Sequence, residues 1–217
     1  MKHLKVLVTG SSNGMGRAIA LKFLSEGHTV VGIDVEVATI DHEGYSHHIA
    51  DVRGELPDVD GVNVLVVNAG VQNCPEEIDV NLIGAIRTTE KYAFQPAIQS
   101  VLYNASMSGS TGSDFPHYCA SKGGVIAYMK NTAMEVAKYG ATSNSISVGG
   151  VYTRMNEHIT SSPRLLQLAI DQTMLGRWAT AEELAEVFYF VATKCSFMTG
   201  QDLILDGGES VKTNFIW

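Results

Sequence analysis

Short apolar runs, each too brief to be a helix, recur along the chain and alternate with helix-length segments. Leu4–Thr9, Thr29–Ile33, Asn63–Val67, Ser100–Ala105 and Ser143–Val148 read as buried strands; Tyr45–Ile49 adds a short one and Asp202–Leu205 a last one. Between them Arg17–Glu26, Val80–Gln95, His117–Tyr139 and Ala181–Thr193 read as helices, the first stopped by Gly27, the second by Pro96 and the third by Gly140. Strands without polar alternation are covered on both faces, and helices between them supply the cover. The expectation is an α/β fold, a doubly wound parallel β-sheet of about seven strands flanked by helices. The connections through residues 35–50 and 53–62 leave little room for a full helix.

The 217 residues, 45% of them hydrophobic, suit a single domain spanning 1–217. A net charge of −8 argues against nucleic acid or an anionic membrane as the main partner. No apolar stretch approaches the ~20 residues that span a bilayer, and the amino terminus lacks the apolar region of a signal peptide. Cys74, Cys119 and Cys195 are scattered, with neither disulfide nor metal-ligand spacing, which suggests a reducing, cytoplasmic setting. No metal site is expected. His47 and His48 are adjacent in a strand and point to opposite faces.

The first strand runs straight into Thr9-Gly10-Ser11-Ser12-Asn13-Gly14-Met15-Gly16 and then a helix. Glycines at that junction let backbone N–H groups approach a pyrophosphate, and the helix amino terminus adds partial positive charge. A plain strand-to-helix turn is the competing reading. The sequence position makes this a Rossmann-type dinucleotide site. Asp34 ends the second strand, where a carboxylate accepts hydrogen bonds from both ribose hydroxyls and repels a 2′-phosphate, so NAD(H) is favoured over NADP(H). Tyr118 and Lys122 lie four apart on one face of a helix. An ammonium there lowers the cost of forming phenolate, which would let the phenol pass a proton near neutral pH.

These residues together resemble the short-chain dehydrogenase/reductase family over nearly the whole chain. Thr9–Gly16 is similar to its glycine motif, Asp51-Val52 to its adenine-contacting pair, and Asn68-Ala69-Gly70 to the close of its fourth strand. Asn81, Ser106, Tyr118 and Lys122 match its helix asparagine and its catalytic serine, tyrosine and lysine. Ser147-Val148-Gly149-Gly150-Val151-Tyr152-Thr153 resembles its nicotinamide loop, and Leu175-Gly176-Arg177 and Thr199-Gly200 through Asp206-Gly207-Gly208 its closing segments. The chain departs from the family with Val67 in place of a second asparagine and Val148 in place of a proline. Ser106-Met107-Ser108-Gly109 fits the serine, two residues, glycine pattern, which selects Ser106 over Ser108.

The resemblance implies hydride transfer between nicotinamide and a secondary alcohol or ketone. Tyr118 is then the acid/base, Lys122 lowers its pKa and holds the ribose, and Ser106 donates to the substrate oxygen. Asn81 holds a water, and Val151 and Thr153 fix the carboxamide. The family also implies a substrate lid around 155–175 and a homo-oligomer, tetramer or dimer, pairing the faces of Leu82–Gln95 and Val125–Tyr139. Met107, Phe115, Tyr152, Met155, His158 and Ile159 are candidate pocket residues for a small-molecule alcohol or carbonyl compound. Cys119 reads as a small core residue, Arg154 as solvated, and Val211–Trp217 as a segment buried against a neighbouring subunit. The alternative is a non-catalytic nucleotide-binding or redox-sensing protein of the same fold.

Overall fold

The computed structural model describes residues 3–212. Its centre is a seven-stranded sheet in the order β3-β2-β1-β4-β5-β6-β7. The strands are Lys5–Thr9 (β1), Thr29–Asp34 (β2), Tyr45–Ile49 (β3), Val64–Val67 (β4), Ser100–Ser106 (β5), Thr142–Val148 (β6) and Asp202–Leu205 (β7). Every pairing is parallel. The order reverses between β1 and β4, and the carboxyl ends of the strands open a crevice there, the usual ligand position of such sheets.

Alternate residues of the central strands feed two separate cores. Val6 and Val8 of β1 pack with Ile19 and Phe23 of α1 (Gly14–Ser25) and with Leu184 and Phe188 of α7 (Ala181–Lys194). Leu7 turns to the other face, where Leu65, Val101 and Tyr103 meet Tyr92 of α2 (Gly84–Tyr92) and Val125 and Met129 of α4 (Pro116–Val136). Helix α4 begins with Pro116 in its first turn, where a missing N–H costs nothing. A capping box of Thr180 and Glu183 starts α7.

The boundaries move by a few residues from expectation. Helix α1 starts at Gly14, so its first turn includes the glycine motif, and α2 ends at Tyr92 before Pro96. Asp79–Ile83 forms a π-helical turn ahead of α2. Ser108–Thr111 forms a one-turn α3, closed by Gly112 in the left-handed region. Glu157–Thr160 (α5) and Pro163–Ile170 (α6) occupy the region expected to be a lid. Neither the β2–β3 nor the β3–β4 connection contains a helix. Buried Ile40, Val52, Leu56 and Val62 anchor them instead, and β3 is left as an exposed edge with Ile49 at 64% exposure. Of the carboxyl-terminal segment Val211–Trp217, residues 213–217 lie outside the described residues.

Candidate active site

A cleft of about 600 Å³ runs along the carboxyl ends of β1, β2 and β4, a volume suited to a cofactor-sized ligand. Gly10, Asn13, Gly14, Met15, Asp34, Asp51, Val52, Asn68, Ala69, Gly70 and Thr153, all cofactor-site candidates, line it. Ser12, Gly16 and Val151 stand behind the wall: Ser12 is buried, Gly16 is packed against Gly10, and Val151 pairs with Ala179.

The glycine loop is drawn tight by contacts that admit no side chain. A Cβ on Gly16 would lie 2.0 Å from the Gly10 carbonyl oxygen and 2.5 Å from Asn68 Nδ2. Asn68 Nδ2 donates to the carbonyls of Thr9 and Gly10 at 2.9 and 3.1 Å, pinning the loop to β4. The N-cap residue Asn13 does not cap α1 with its side chain; its Nδ2 donates to Glu36 Oε2 at 2.8 Å instead. The first-turn N–H groups therefore face the cleft without a side-chain partner, as an anion site requires. Asp34 stays at the cleft because its carboxylate is held from both ends: Oδ2 accepts from the Ser12 N–H at 2.9 Å and Oδ1 from the Glu36 N–H at 3.0 Å. Each oxygen retains a lone pair for a ribose hydroxyl. Asp51 chelates Arg53, with Nη2 to Oδ2 at 2.7 Å. These features fit a bound dinucleotide.

The catalytic candidates cluster at the end of β5 and the start of α4. Ser106, Tyr118 and Lys122 are 5%, 8% and 5% exposed. Ser106 lies close enough to the Tyr118 phenol to oppose the rise in its pKa, and its Oγ accepts from the Ser108 N–H at 3.2 Å. Ser108 turns away, donating to Asp114 Oδ2 at 3.3 Å, so the geometry favours Ser106 as the serine beside the phenol. Lys122 Nζ donates to the Asn104 carbonyl at 2.8 Å and lies 5.6 Å from the centre of the Tyr118 ring.

Electrostatics correct one expectation. Burial outweighs any help from Lys122: it pushes Tyr118 up to about 12, against the opposing influence of Ser106, with Asp114 and Glu77 adding to the rise. Burial also lowers Lys122 to about 8. Both shifts favour the neutral form, as low-dielectric surroundings demand. Asn81 is likewise more occupied than expected. Its Oδ1 accepts from the Val71 N–H at 2.8 Å, and its Nδ2 donates to the Val71 carbonyl at 2.9 Å and Ser121 Oγ at 3.1 Å. The side chain pins the β4 exit loop, inside a π-helical turn of a kind often found at functional sites.

Three features went unanticipated. Asn104, in the buried strand β5, lines the cleft and donates from Nδ2 to Asn68 Oδ1 at 2.9 Å, while its Oδ1 is buried without a partner. The Asn68 amide donates twice to carbonyls, which fixes the orientation of both amides. The signal in sequence was an amide in an otherwise apolar strand. Arg154 is solvated, as expected, but is also paired with Glu36 across the cleft. Cys119 is half-buried, not a core residue.

Residues 57–210 match the family model described as enoyl-(acyl carrier protein) reductase. The chain is 30% identical to a 3-oxoacyl-[acyl-carrier-protein] reductase of Thermotoga maritima, over 93% of this chain and 96% of that one. It is 28% identical to an L-rhamnose 1-dehydrogenase (NAD(P)(+)) of a Sphingomonas species, over 95% and 96%. A putative 2-deoxy-D-gluconate 3-dehydrogenase from Agrobacterium tumefaciens with bound NADP superposes with a TM-score of 0.87 at 26% identity, covering 98% of each chain. The chain belongs to the short-chain dehydrogenase/reductase family of NAD(P)-dependent oxidoreductases.

Proposed function

We propose that the protein interconverts an uncharged secondary alcohol and its ketone, with Tyr118 as the acid/base. The observation that carries this reading is the shared burial of Ser106, Tyr118 and Lys122 beside the dinucleotide cleft, with the Lys122 ammonium 5.6 Å from the centre of the Tyr118 ring. The bound cofactor supplies or accepts the hydride. In the reductive direction Tyr118 Oη gives its proton to the substrate oxygen as negative charge develops there, and a phenol held near 12 keeps that proton until it is needed. Ser106 Oγ donates to the same oxygen and stabilises it. Lys122 retains N–H donors beyond its bond to Asn104, for the phenolate left behind and for a ribose hydroxyl. Asn81 positions the loop beside Lys122.

Asp34, with its free lone pairs at the ribose end, supports a preference for NAD(H). Asp114 and Glu77 bear negatively on Tyr118, so an anionic substrate would meet repulsion, whereas a hydroxylated neutral one would find acceptors. The same reading takes the chain as one NAD(P)-binding domain with a lid around 155–175, working as a cytoplasmic homo-oligomer.

The test follows reduced-nicotinamide absorbance with NAD(H) and NADP(H) against aldoses, simple secondary alcohols and 3-oxoacyl thioesters. Turnover of a neutral alcohol that disappears in Tyr118→Phe supports the proposal. Equal turnover by wild type and Tyr118→Phe refutes the mechanism. Asp34→Ala is expected to weaken NAD far more than NADP, and equal losses would refute the cofactor preference.

A further inference from the structure

The glycine loop carries no cation, although a dinucleotide pyrophosphate brings two negative charges to a chain whose own net charge is −8. Among the described residues two arginines line the cleft, and acids hold both. Arg53 pairs locally with Asp51, two positions away in sequence. Arg154 pairs with Glu36 across the cleft, bringing the segment that follows β6 onto the loop that follows β2.

The two partners are held very differently. Glu36 is a junction: its Oε2 accepts from Asn13 Nδ2 at 2.8 Å, its N–H donates to Asp34 Oδ1 at 3.0 Å, and its carbonyl accepts from His47 Nε2 at 2.9 Å. The Arg154 side chain is 61% exposed, and exposed pairs of this kind are weak and easily exchanged. Its neighbour Thr153 lies against the glycine loop, with Cγ2 3.5 Å from where a Cβ on Gly14 would stand. The guanidinium and the uncapped amino terminus of α1 therefore border the same stretch of cleft.

We propose that Arg154 is the pyrophosphate ligand of this cleft, held in reserve by Glu36. As the phosphates enter, the guanidinium exchanges the Glu36 carboxylate for phosphate oxygens, which its planar fork fits in pairs. Arg154 opens the 3₁₀ turn Arg154–Asn156 that leads into α5 and α6, so the same exchange draws the root of the lid segment toward the cofactor. Glu36 then acts as an internal competitor that sets affinity and makes it sensitive to salt. This inference rests on the dinucleotide-binding reading above and adds the residue pair that controls it.

Calorimetric titration of wild type, Glu36→Gln, Arg154→Gln and Arg154→Lys with adenosine, ADP and NADH tests it. Glu36→Gln is expected to bind ADP and NADH several-fold more tightly. Arg154→Gln is expected to bind both about tenfold more weakly, the scale of one charge-assisted contact of ~1.4 kcal/mol, with Arg154→Lys between it and wild type. Adenosine, which has no phosphate, is expected to bind all four proteins alike. Weakened ADP binding in Glu36→Gln, or unchanged ADP binding in Arg154→Gln, overturns the proposal and leaves dinucleotide binding intact. A wild type that binds neither ADP nor NADH overturns both.

Discussion

Replacing Lys122 with methionine is expected to make the protein more stable and inactive. Lys122 sits in the protein interior, where burial lowers its pKa from 10.5 to about 8. That fall is the free-energy cost of keeping an ammonium there, roughly 3 kcal/mol at about 1.4 kcal/mol per tenfold change in proton affinity. The cost is fully present below pH 8, where both folded and unfolded chains carry the proton. It fades as the pH rises from about 8 toward 10.5, where the folded chain has given up a proton the unfolded chain still holds. Methionine fills a similar volume without charge. Against the gain stands the lost bond from Nζ to the Asn104 carbonyl, worth about 1–2 kcal/mol with its buried acceptor left bare. The net gain at pH 7 is about 1–2 kcal/mol, or roughly 3–6 °C in Tm for a chain of this size. Thermal melts of wild type and Lys122→Met at pH 7 and near pH 10.5 check the sign twice. The variant is expected to be the more stable at pH 7 and the less stable near pH 10.5. A variant already less stable at pH 7 would refute the idea that this ammonium is held against its desolvation.

Ser106→Ala is expected to lower kcat by about 10²–10³-fold, the scale of one lost donor to a developing oxyanion, with Ser108→Ala closer to wild type; steady-state kinetics with reversed ranking would transfer the role to Ser108. Gly16→Ala places a Cβ 2.0 Å from the Gly10 carbonyl and is expected to cost about 1–3 kcal/mol of stability and to abolish NADH binding, read by denaturant melts and fluorescence titration. Thr180→Ala removes one half of the α7 capping box and is expected to cost about 1 kcal/mol with no change in cofactor affinity.

The strand positions and the cofactor loop were legible because both depend on local rules. Buried parallel strands advertise themselves as apolar runs, and only glycine fits where the Gly16 position meets the Gly10 carbonyl. The one-turn helix Ser108–Thr111 was not legible, because four residues carry no period. The π-helical turn at Asp79–Ile83 was read as ordinary helix, since one extra residue per turn leaves the apolar pattern nearly intact. The net direction of the Tyr118 shift is not legible in the spacing for a different reason. A Tyr/Lys spacing reports proximity, whereas the shift is set by how completely the fold strips water from both groups. The Glu36–Arg154 pair joins positions 118 apart in sequence and depends on side-chain reach across a cleft, which no local pattern encodes.

The two shortened connections raise the question of what holds Asp34 and Glu36 at the cleft when no helix packs behind them. A chain of hydrogen bonds does so. Ser11 of the glycine loop lies 3.0 Å from the Tyr45 phenol, which lies 2.9 Å from His47 Nδ1, and His47 Nε2 lies 2.9 Å from the Glu36 carbonyl. The phenol crosses β2 so closely that a Cβ on Gly32 would stand 2.0 Å from its oxygen, which makes Gly32 a requirement of the network. A carbonyl only accepts, so Nε2 carries the proton, Nδ1 accepts from Tyr45, and Tyr45 accepts from Ser11. Loss of the phenol, as in Tyr45→Phe, would remove the hydrogen-bonded link from Ser11 of the glycine loop to the β3 edge.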